Sequence, residues 1–311
     1  MSGGGPLTPY LSPEALDARL MEAARGHDRE SWVFGESCEG RPLRALRRAG
    51  HPAGGTVLCV GNIHGVEFIG TLLTLALYST EHWGARMGAR RPVPSLVIVP
   101  TLNPDGYAAT WAAGGAGTLP QLRTNARGVD LNRNFPVPAG RRHGRLPGTG
   151  ATRPGRATYR GPHALSEPET AALDALVRSM KVRAAVSCHS FMGRLIPPRV
   201  INGAEYRTYR SLCRSAIATQ PMARYGVLAS RWLDSFTGEL EDHLHHEHRA
   251  WSICFETFPV VASMRQHLRA PNLFWRFNPR DPEPWIHNDL PALERFLGAA
   301  SGLPPPGTTG P

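Results

Sequence analysis

Short apolar runs that alternate with helix-type segments constrain the fold of this chain most strongly. Four of the runs have the length and apolar character of buried strands. They cover residues 56–60, 95–100, 182–188 and 251–255. Strands that alternate with helices are typical of α/β folds, in which the sheet is largely parallel or mixed. The sequence therefore predicts an α/β fold.

The remaining segments predict one continuous domain. Helical patterns cover residues 12–26, 67–78, 166–180, 206–219 and 290–299. Gly-, Pro- and Arg-rich surface loops are predicted over 114–125 and 136–162. Because we find neither an internal repeat nor a convincing linker, we expect a single domain over 1–300, followed by a disordered Pro/Gly-rich tail over 301–311.

Composition argues against several classes of partner. The net charge of +10 is almost entirely arginine, and Lys181 is the only lysine. No helical segment has a sustained basic face with interleaved aromatic residues, so we expect no nucleic-acid partner. The five cysteines are scattered without a CxxC spacing, which favours free thiols, most of them buried, over a disulfide framework.

The hydropathy pattern predicts neither a membrane span nor a secretory signal. No apolar run reaches eighteen residues, which is about the minimum for a membrane-spanning helix. The first residues carry neither a basic region nor an apolar stretch. We therefore expect a cytoplasmic location and no membrane partner.

Four polar residues follow predicted buried strands. His64, Asn103, His189 and Glu256 each lie just beyond the carboxyl end of one apolar run. In open α/β sheets that edge is where ligands bind, because strand ends and loops converge there. We therefore expect these side chains, far apart in sequence, to meet in one crevice.

His64 and Glu67 form an HxxE pair at a predicted strand-to-helix turn. Imidazole nitrogen and carboxylate oxygen both suit zinc, which in catalytic sites takes about three protein ligands and a water. Two ligands three residues apart can converge at such a turn, and the third must come from elsewhere. Alone, the pair is a weak signal, and a helix-start histidine beside an exposed glutamate is then the better explanation.

Further motifs follow the HxxE pair in a fixed order, and together they resemble the zinc carboxypeptidases related to carboxypeptidase A. The resemblance extends from about residue 35 to 259, and its short loops and SEPET helix start are closest to bacterial murein-peptide amidases. It implies a three-layer α/β/α domain with a mixed, twisted, mostly parallel sheet of about eight strands. The motifs are GESCEGRP (35–42), NPDG (103–106), GVDLNRNFP (128–136), CHS (188–190) and FET (255–257).

The resemblance implies a metal centre with a catalytic base. His64, Glu67 and His189 match the ligands of one zinc ion. Glu256 matches the general base, which takes a proton from water and passes it to the leaving amine. Its position beside Phe255 suits a carboxylate whose pKa is tuned by desolvation.

The resemblance also implies residues that bind the substrate. Arg123 matches the arginine that stabilises the oxyanion, with Arg127 as a close competitor because the loop is shortened. Asn132 and Arg133 match the pair that binds a terminal carboxylate, and Ser190 is a further candidate for substrate binding. A structural ion pair is the alternative role for Arg133.

These roles predict a metallocarboxypeptidase that hydrolyses an amide bond next to a free C-terminal carboxylate, using zinc and a peptide or peptide-like substrate. Two alternatives stay open. One is a murein-peptide amidase or acyl-amino-acid amidohydrolase with the same site. The other is a non-catalytic, zinc-containing binding protein, against which the intact Glu256 weighs.

Two segments depart from the family pattern. Residues 231–238 contain no tyrosine at the place where the family usually offers a mobile one, and Tyr225 lies too far upstream for a confident match. Downstream, an acid at Glu241 or Asp242 would suit a basic or diamino-acid side chain of the substrate. We expect the histidines of 243–248 to lie on an exposed loop or helix face, with a second metal site as the alternative.

Overall fold

Eight strands form one sheet within the residues that the computed structural model describes. These are residues 5–81, 83–84, 92–144, 148–200, 202–228, 236–261 and 264–307. The strands are β1 (Arg29–Glu36), β2 (Pro42–Arg48), β3 (Thr56–Val60), β4 (Ser95–Val99), β5 (Val182–Ser190), β6 (Arg194–Ile196), β7 (Gly226–Val227) and β8 (Trp251–Thr257).

The sheet is mixed, with a parallel centre, as predicted. Its order is β1-β2-β4-β3-β5-β8-β6-β7. The central strands β4, β3, β5 and β8 are parallel to their neighbours within this block. At one edge β1 and β2 pair antiparallel, and at the other β6 is antiparallel to β8. The carboxyl ends of β3, β5 and β8 consequently lie at the same edge of the sheet.

Helices cover both faces of this sheet. They are α1 (Pro13–Ala23), α2 (Phe68–Ser79), α3 (Pro104–Ala112), α4 (Leu119–Arg123), α5 (Pro168–Ser179), α6 (Gly203–Ile217), α7 (Leu240–His246), α8 (Met264–Arg269), α9 (Phe274–Phe277) and α10 (Glu283–Ser301). None of the described helices is both long and apolar enough to cross a bilayer.

The three layers follow from the alternation of side chains along each strand. Val57 and Cys59 of β3 pack into a core with residues of α2, α6 and α10. Leu58 and Val60 point to the opposite face and pack with residues of α5 and α7. Because successive strand residues face opposite sides, a strand covered on both faces is apolar throughout. The predicted α/β/α architecture is confirmed.

The last helix begins earlier than predicted. The helical pattern over 290–299 is only the C-terminal part of α10, which starts at Glu283 and continues through Pro291. A proline inside a helix removes one backbone hydrogen bond. Here α10 packs on α2 and α6, so burial of its apolar face offsets that loss.

The predicted disordered tail is bound to the domain over residues 302–307. The Trp251 Nε1–H donates to the carbonyl of Pro304 at 2.9 Å, and Arg249 Nε donates to the carbonyl of Pro306 at 3.0 Å. The Gly307 N–H donates to Glu205 Oε1 at 2.6 Å. Composition alone misses these contacts because the partners come from distant segments. Residues 308–311 lie outside the described part.

Candidate active site

His64, His189 and Glu256 converge at the carboxyl edge of the parallel strands. His64 lies in the turn between β3 and α2, and the strand register places His189 of β5 directly beside Glu256 of β8. Both of these residues lie one position inside their strand ends, rather than beyond them as predicted. The sheet itself therefore holds two of the three side chains at fixed spacing.

Asn103, the fourth predicted residue of this edge, has a structural role. Its Oδ1 accepts from the Gly106 N–H at 2.9 Å and caps α3, while its Nδ2 donates to the carbonyls of Ile63 and Thr124. The side chain is completely buried. It thereby ties the turn that carries His64 to the segment that carries Arg123.

The three predicted metal ligands form one buried cluster. His64 Nδ1 lies 2.9 Å from Glu67 Oε1, and His189 Nδ1 lies 2.9 Å from Glu67 Oε2. The two Nδ1 atoms are 3.2 Å apart. Each side chain thus offers one donor atom to a common point, and the three atoms form a compact group.

The outward-facing nitrogen of each imidazole also has a partner. His64 Nε2 lies 3.2 Å from Asp130 Oδ1, and His189 Nε2 lies 2.8 Å from Ser187 Oγ. Such contacts set the tautomer and orientation of a metal-binding histidine. Neither partner was predicted from the sequence, although Asp130 lies within the GVDLNRNFP motif and that position was a usable signal.

Glu67 and His189 favour the protonation state that binds zinc, whereas the pKa of His64, which burial would lower, is raised by the adjacent carboxylates of Glu67 and Asp130. Burial would raise the pKa of Glu67, but the two adjacent imidazoles hold it at about 2, so the carboxylate remains anionic. Burial lowers the pKa of His189 and favours its neutral form. Two imidazole nitrogens and one carboxylate are a common ligand set of catalytic zinc sites, which leave one position for water.

Glu256 has the environment of a proton carrier. Its Oε2 is buried and accepts no hydrogen bond from any described residue. Burial, together with the charge of Glu67, raises the pKa of Glu256 to about 8. A carboxyl group with a pKa near neutrality can both accept and donate a proton at physiological pH.

Arg123, rather than Arg127, lies at the metal centre. Arg123 is the last residue of α4, a short helix inside a segment that was predicted to be a loop, and its Nε donates to Asp130 Oδ2 at 2.9 Å. Arg127 instead points toward Glu167, with its Nη1 3.8 Å from Oε2 and 57% of its side chain exposed. Of the two arginines, Arg123 is therefore the one that is connected to His64 through Asp130.

Arg133 is paired with an acid of the protein itself. Its Nη1 lies 3.0 Å from Glu239 Oε1, immediately before α7, and 13% of its side chain is exposed. The neighbouring Asn132 accepts the Leu240 N–H on its Oδ1 at 2.9 Å. Both predicted anchor residues thus contact the start of α7, so a substrate carboxylate would have to share Arg133 with Glu239.

Two other candidates lie apart from the metal cluster. The Ser190 Oγ is buried and makes no hydrogen bond to a described residue. The Tyr225 hydroxyl donates to Asp289 Oδ2 at 3.1 Å and accepts from the Phe258 N–H at 3.3 Å. Tyr225 is therefore held in a buried network. Of the segment 231–238, which has no tyrosine, residues 231–235 lie outside the described part.

The histidine-rich segment is buried, so the prediction of an exposed face is wrong. It forms α7, which packs on β8 and β5, and Glu241, Asp242 and His243 are all nearly inaccessible. Its charged side chains find partners that lie far away in the chain, such as the Arg199 N–H, which donates to Asp242 Oδ1 at 2.7 Å. By contrast, Glu241 Oε2 has no hydrogen-bond partner among the described residues.

Comparison with known proteins identifies the family of this site. The model of the family described as "Zinc carboxypeptidase" matches residues 21–260. The chain belongs to the zinc carboxypeptidase family. Zinc is accordingly the cofactor expected at the cluster of His64, Glu67 and His189, and the family assignment agrees with the donor set found there.

Individual relatives support the same fold. The catalytic chain of carboxypeptidase N from Homo sapiens is 40% identical over 117 residues, which are 34% of this chain and 25% of that protein. The chain thus matches about a quarter of the length of this curated relative. Bovine thrombin-activatable fibrinolysis inhibitor, solved with a tick carboxypeptidase inhibitor, has a TM-score of 0.73 at 19% identity and covers 94% of this chain and 97% of its own.

A murein-tripeptide amidase from Escherichia coli O157 is also among the similar structures. It covers 81% of this chain and 93% of its own, at 25% identity and a TM-score of 0.48. Because that score is low, this likeness carries no argument about the substrate.

Proposed function

We propose that this protein is a zinc-dependent metallocarboxypeptidase that hydrolyses the amide bond next to a free C-terminal carboxylate. The observation that carries the proposal is the position of Glu256. Its unpartnered, buried carboxylate oxygen lies in the electrostatic neighbourhood of the His64 and Glu67 donors. In the metal-free protein, burial and the charge of Glu67 raise the pKa of Glu256 to about 8, and a carboxyl group perturbed in this way beside a metal centre is typical of a catalytic acid or base.

Each residue of the site has a distinct part in the proposed reaction. Zinc, when bound by His64, Glu67 and His189, would polarise the scissile carbonyl and acidify a water molecule. Glu256 takes the proton of the attacking water and delivers it to the leaving amine nitrogen. Arg123, oriented by its hydrogen bond to Asp130, provides positive charge to the developing oxyanion.

Asn132 and Arg133 position the substrate in this proposal. A guanidinium group binds a carboxylate through a planar fork, and Arg133 has such a partner already in Glu239. The terminal carboxylate of a peptide would replace or share that partner. Anchoring the chain end in this way places the last amide bond at the metal centre, and correct positioning accounts for a large part of many enzymatic rates.

One observation favours a substrate whose last residue carries a positive charge. Burial, with Glu239 and Asp242 nearby, raises the pKa of Glu241 well above its usual range, while Arg133 acts against this. A buried carboxylate oxygen without a hydrogen-bond partner, such as Glu241 Oε2, is costly, and a cationic side chain of the substrate would compensate it. Lysine, arginine and the diamino acids of murein peptides share this chemistry, so Glu241 is compatible with both the carboxypeptidase and the amidase.

A defined substrate pool tests the proposal. Zinc-loaded protein is incubated with matched peptides that end in Leu, Lys or Arg, each with a free or amidated C-terminus, together with a γ-D-glutamyl-diaminopimelate tripeptide. Mass spectrometry then identifies the products. We expect cleavage of free-ended members only, and a loss of about 10²–10⁴ in rate in Glu256→Gln.

Two results would contradict parts of the proposal. Equal cleavage of free and amidated peptides would refute the role of the terminal carboxylate, and no cleavage of any member would favour the binding protein. Glu241→Gln separates the substrates: we expect kcat/KM for Lys or Arg ends to fall about tenfold or more while Leu ends are unaffected. Cleavage of the tripeptide alone would assign the amidase.

A further inference from the structure

A second group of metal-binding side chains lies at the C-terminal end of α7. His243 Nε2 and His248 Nε2 lie 2.7 Å and 2.8 Å from the same atom, Asp174 Oδ1. The two Nε2 atoms are 3.2 Å apart. Asp174 and His243 are buried, and the side chain of His248 is only 8% exposed. We propose that Asp174, His243 and His248 bind a second divalent cation of the zinc type.

The catalytic cluster of the same protein provides an internal standard for this geometry. There, two imidazole nitrogens are 3.2 Å apart and each lies 2.9 Å from a carboxylate oxygen. The second cluster has the same nitrogen spacing and similar nitrogen–oxygen distances. Metal–ligand bonds of about 2.0–2.2 Å in tetrahedral geometry place ligand atoms about 3.3–3.6 Å apart. The nitrogen pairs of both clusters are close to this spacing, and the nitrogen–oxygen distances would have to widen by roughly 0.5 Å or more on metal binding.

The surroundings of Asp174 are suited to a metal ligand. Its second oxygen, Oδ2, accepts from Arg178 Nε at 2.9 Å, which leaves Oδ1 for the cation. Hydrogen bonds of this kind orient a ligating carboxylate.

The other mixed cluster in the described part of the chain does not share these features. Cys38 Sγ lies 3.7 Å from Glu167 Oε2 and 3.6 Å from Glu169 Oε2, and Asn125 Nδ2 donates to both carboxylates. Burial raises the pKa of the Cys38 thiol, whereas a metal requires the thiolate. Hydrogen bonds explain that cluster without an ion.

A cation at the second site would hold α7 in place. Asp174 belongs to α5, whereas His243 lies in α7 and His248 shortly after its end. The opposite end of α7 bears Glu239 and Leu240, which contact the predicted substrate anchors. The ion would therefore be structural, and it would fix the segment that borders the substrate.

Metal stoichiometry of the full-length protein tests this assignment. The protein is loaded with zinc and dialysed against a weak chelator, and its zinc content per chain is measured by inductively coupled plasma mass spectrometry. We expect about two zinc ions per chain in the wild type, and about one in His248→Gln or His189→Gln. His246→Gln is the matched control in the same histidine-rich segment, because its side chain contacts the Arg199 carbonyl instead, and it should keep both ions.

Cobalt provides a second readout that is independent of activity. Replacing zinc by cobalt should produce visible absorption from two sites, and His248→Gln should lose about half of it. A wild-type protein that retains one ion, with no further loss in His248→Gln, would overturn the proposal. The wild-type stoichiometry decides the question even if the variant fails to fold, and it does so whether or not the protein cleaves peptides.

Discussion

Replacing Asp130 by asparagine tests how strongly the protein orients its zinc ligands. Asp130 is completely buried and accepts hydrogen bonds from the Asn132 N–H at 3.0 Å and Arg123 Nε at 2.9 Å, with His64 Nε2 at 3.2 Å. Burial would raise its pKa, but Arg123 and His64 hold it well below its usual range. The residue is therefore an anion with several donors directed at its two oxygens.

Asparagine keeps the shape but replaces one acceptor oxygen by an NH2 group. If the NH2 group points toward Arg123, it meets the Nε donor of that residue. If the amide is turned the other way, the NH2 group meets His64 Nε2 and the Asn132 N–H. We expect the first arrangement, because the Arg123 side chain is 16% exposed and can move toward water. In that arrangement the amide oxygen still accepts from His64 Nε2, so the variant removes the negative charge beside the imidazole rather than the hydrogen bond. Replacing an outer-shell partner of a metal-binding histidine weakens metal binding by about 10–100-fold, which corresponds to about 1.4–2.7 kcal/mol.

Competition with a chromophoric chelator measures the zinc affinity directly. Asp105→Asn is the control, because Asp105 is a buried acid that is bound by Ser37 Oγ and Arg41, away from the metal. It should destabilise the protein without changing the zinc dissociation constant. An Asp130→Asn protein that binds zinc within about twofold of the wild type would refute the orienting role of Asp130.

Four further outcomes are expected. Glu256→Gln should bind zinc normally yet lose about 10²–10⁴ in kcat. Arg123→Met should lose about 10²–10³ in kcat with a smaller change in KM. Steady-state kinetics and metal analysis check both variants, and an unchanged kcat would contradict the role assigned to the residue. Glu239→Gln should free Arg133 and lower KM about two- to fivefold for free-ended peptides but not for amidated ones, since a partly exposed ion pair is worth about 0.5–1 kcal/mol. In zinc-free protein, the folded pKa of Glu256 is about 8 against an ordinary value of 4.5, so the folded state binds the extra proton between these values. The free energy of unfolding in urea should then fall between pH 5 and 8 by up to about 1.4 kcal/mol per unit, and the slope should be smaller in Glu256→Gln.

The polarity pattern predicted the central strands well because strands that are buried on both faces consist of consecutive apolar residues. Strands β3 and β4 agree with the predicted runs to within one residue. The pattern failed for α7, where charged residues and histidines suggested an exposed face. In the fold this helix packs on β8 and β5, and its polar groups are paired with distant residues, which no local pattern can show.

The predicted ligands His64, Glu67 and His189 came together as expected, because two of them share one turn and the third lies on a neighbouring parallel strand. The supporting contacts were not predictable in the same way. The Asp130 partner of His64 is 66 residues away, and the Leu240 partner of Asn132 is 108 residues away. Such pairs depend on the docking of loops and helices onto the sheet.

The sequence by itself determined the α/β class, the strand ends that carry the ligands and the family motifs, since these reside in local apolar patterns and short runs of residues. Only the tertiary structure decided which arginine is connected to His64 through Asp130, that Arg133 is already paired with Glu239, and that His243 and His248 meet Asp174. The physical reason is that burial and pairing of charges depend on segments that are distant in the chain and become neighbours only in the folded protein.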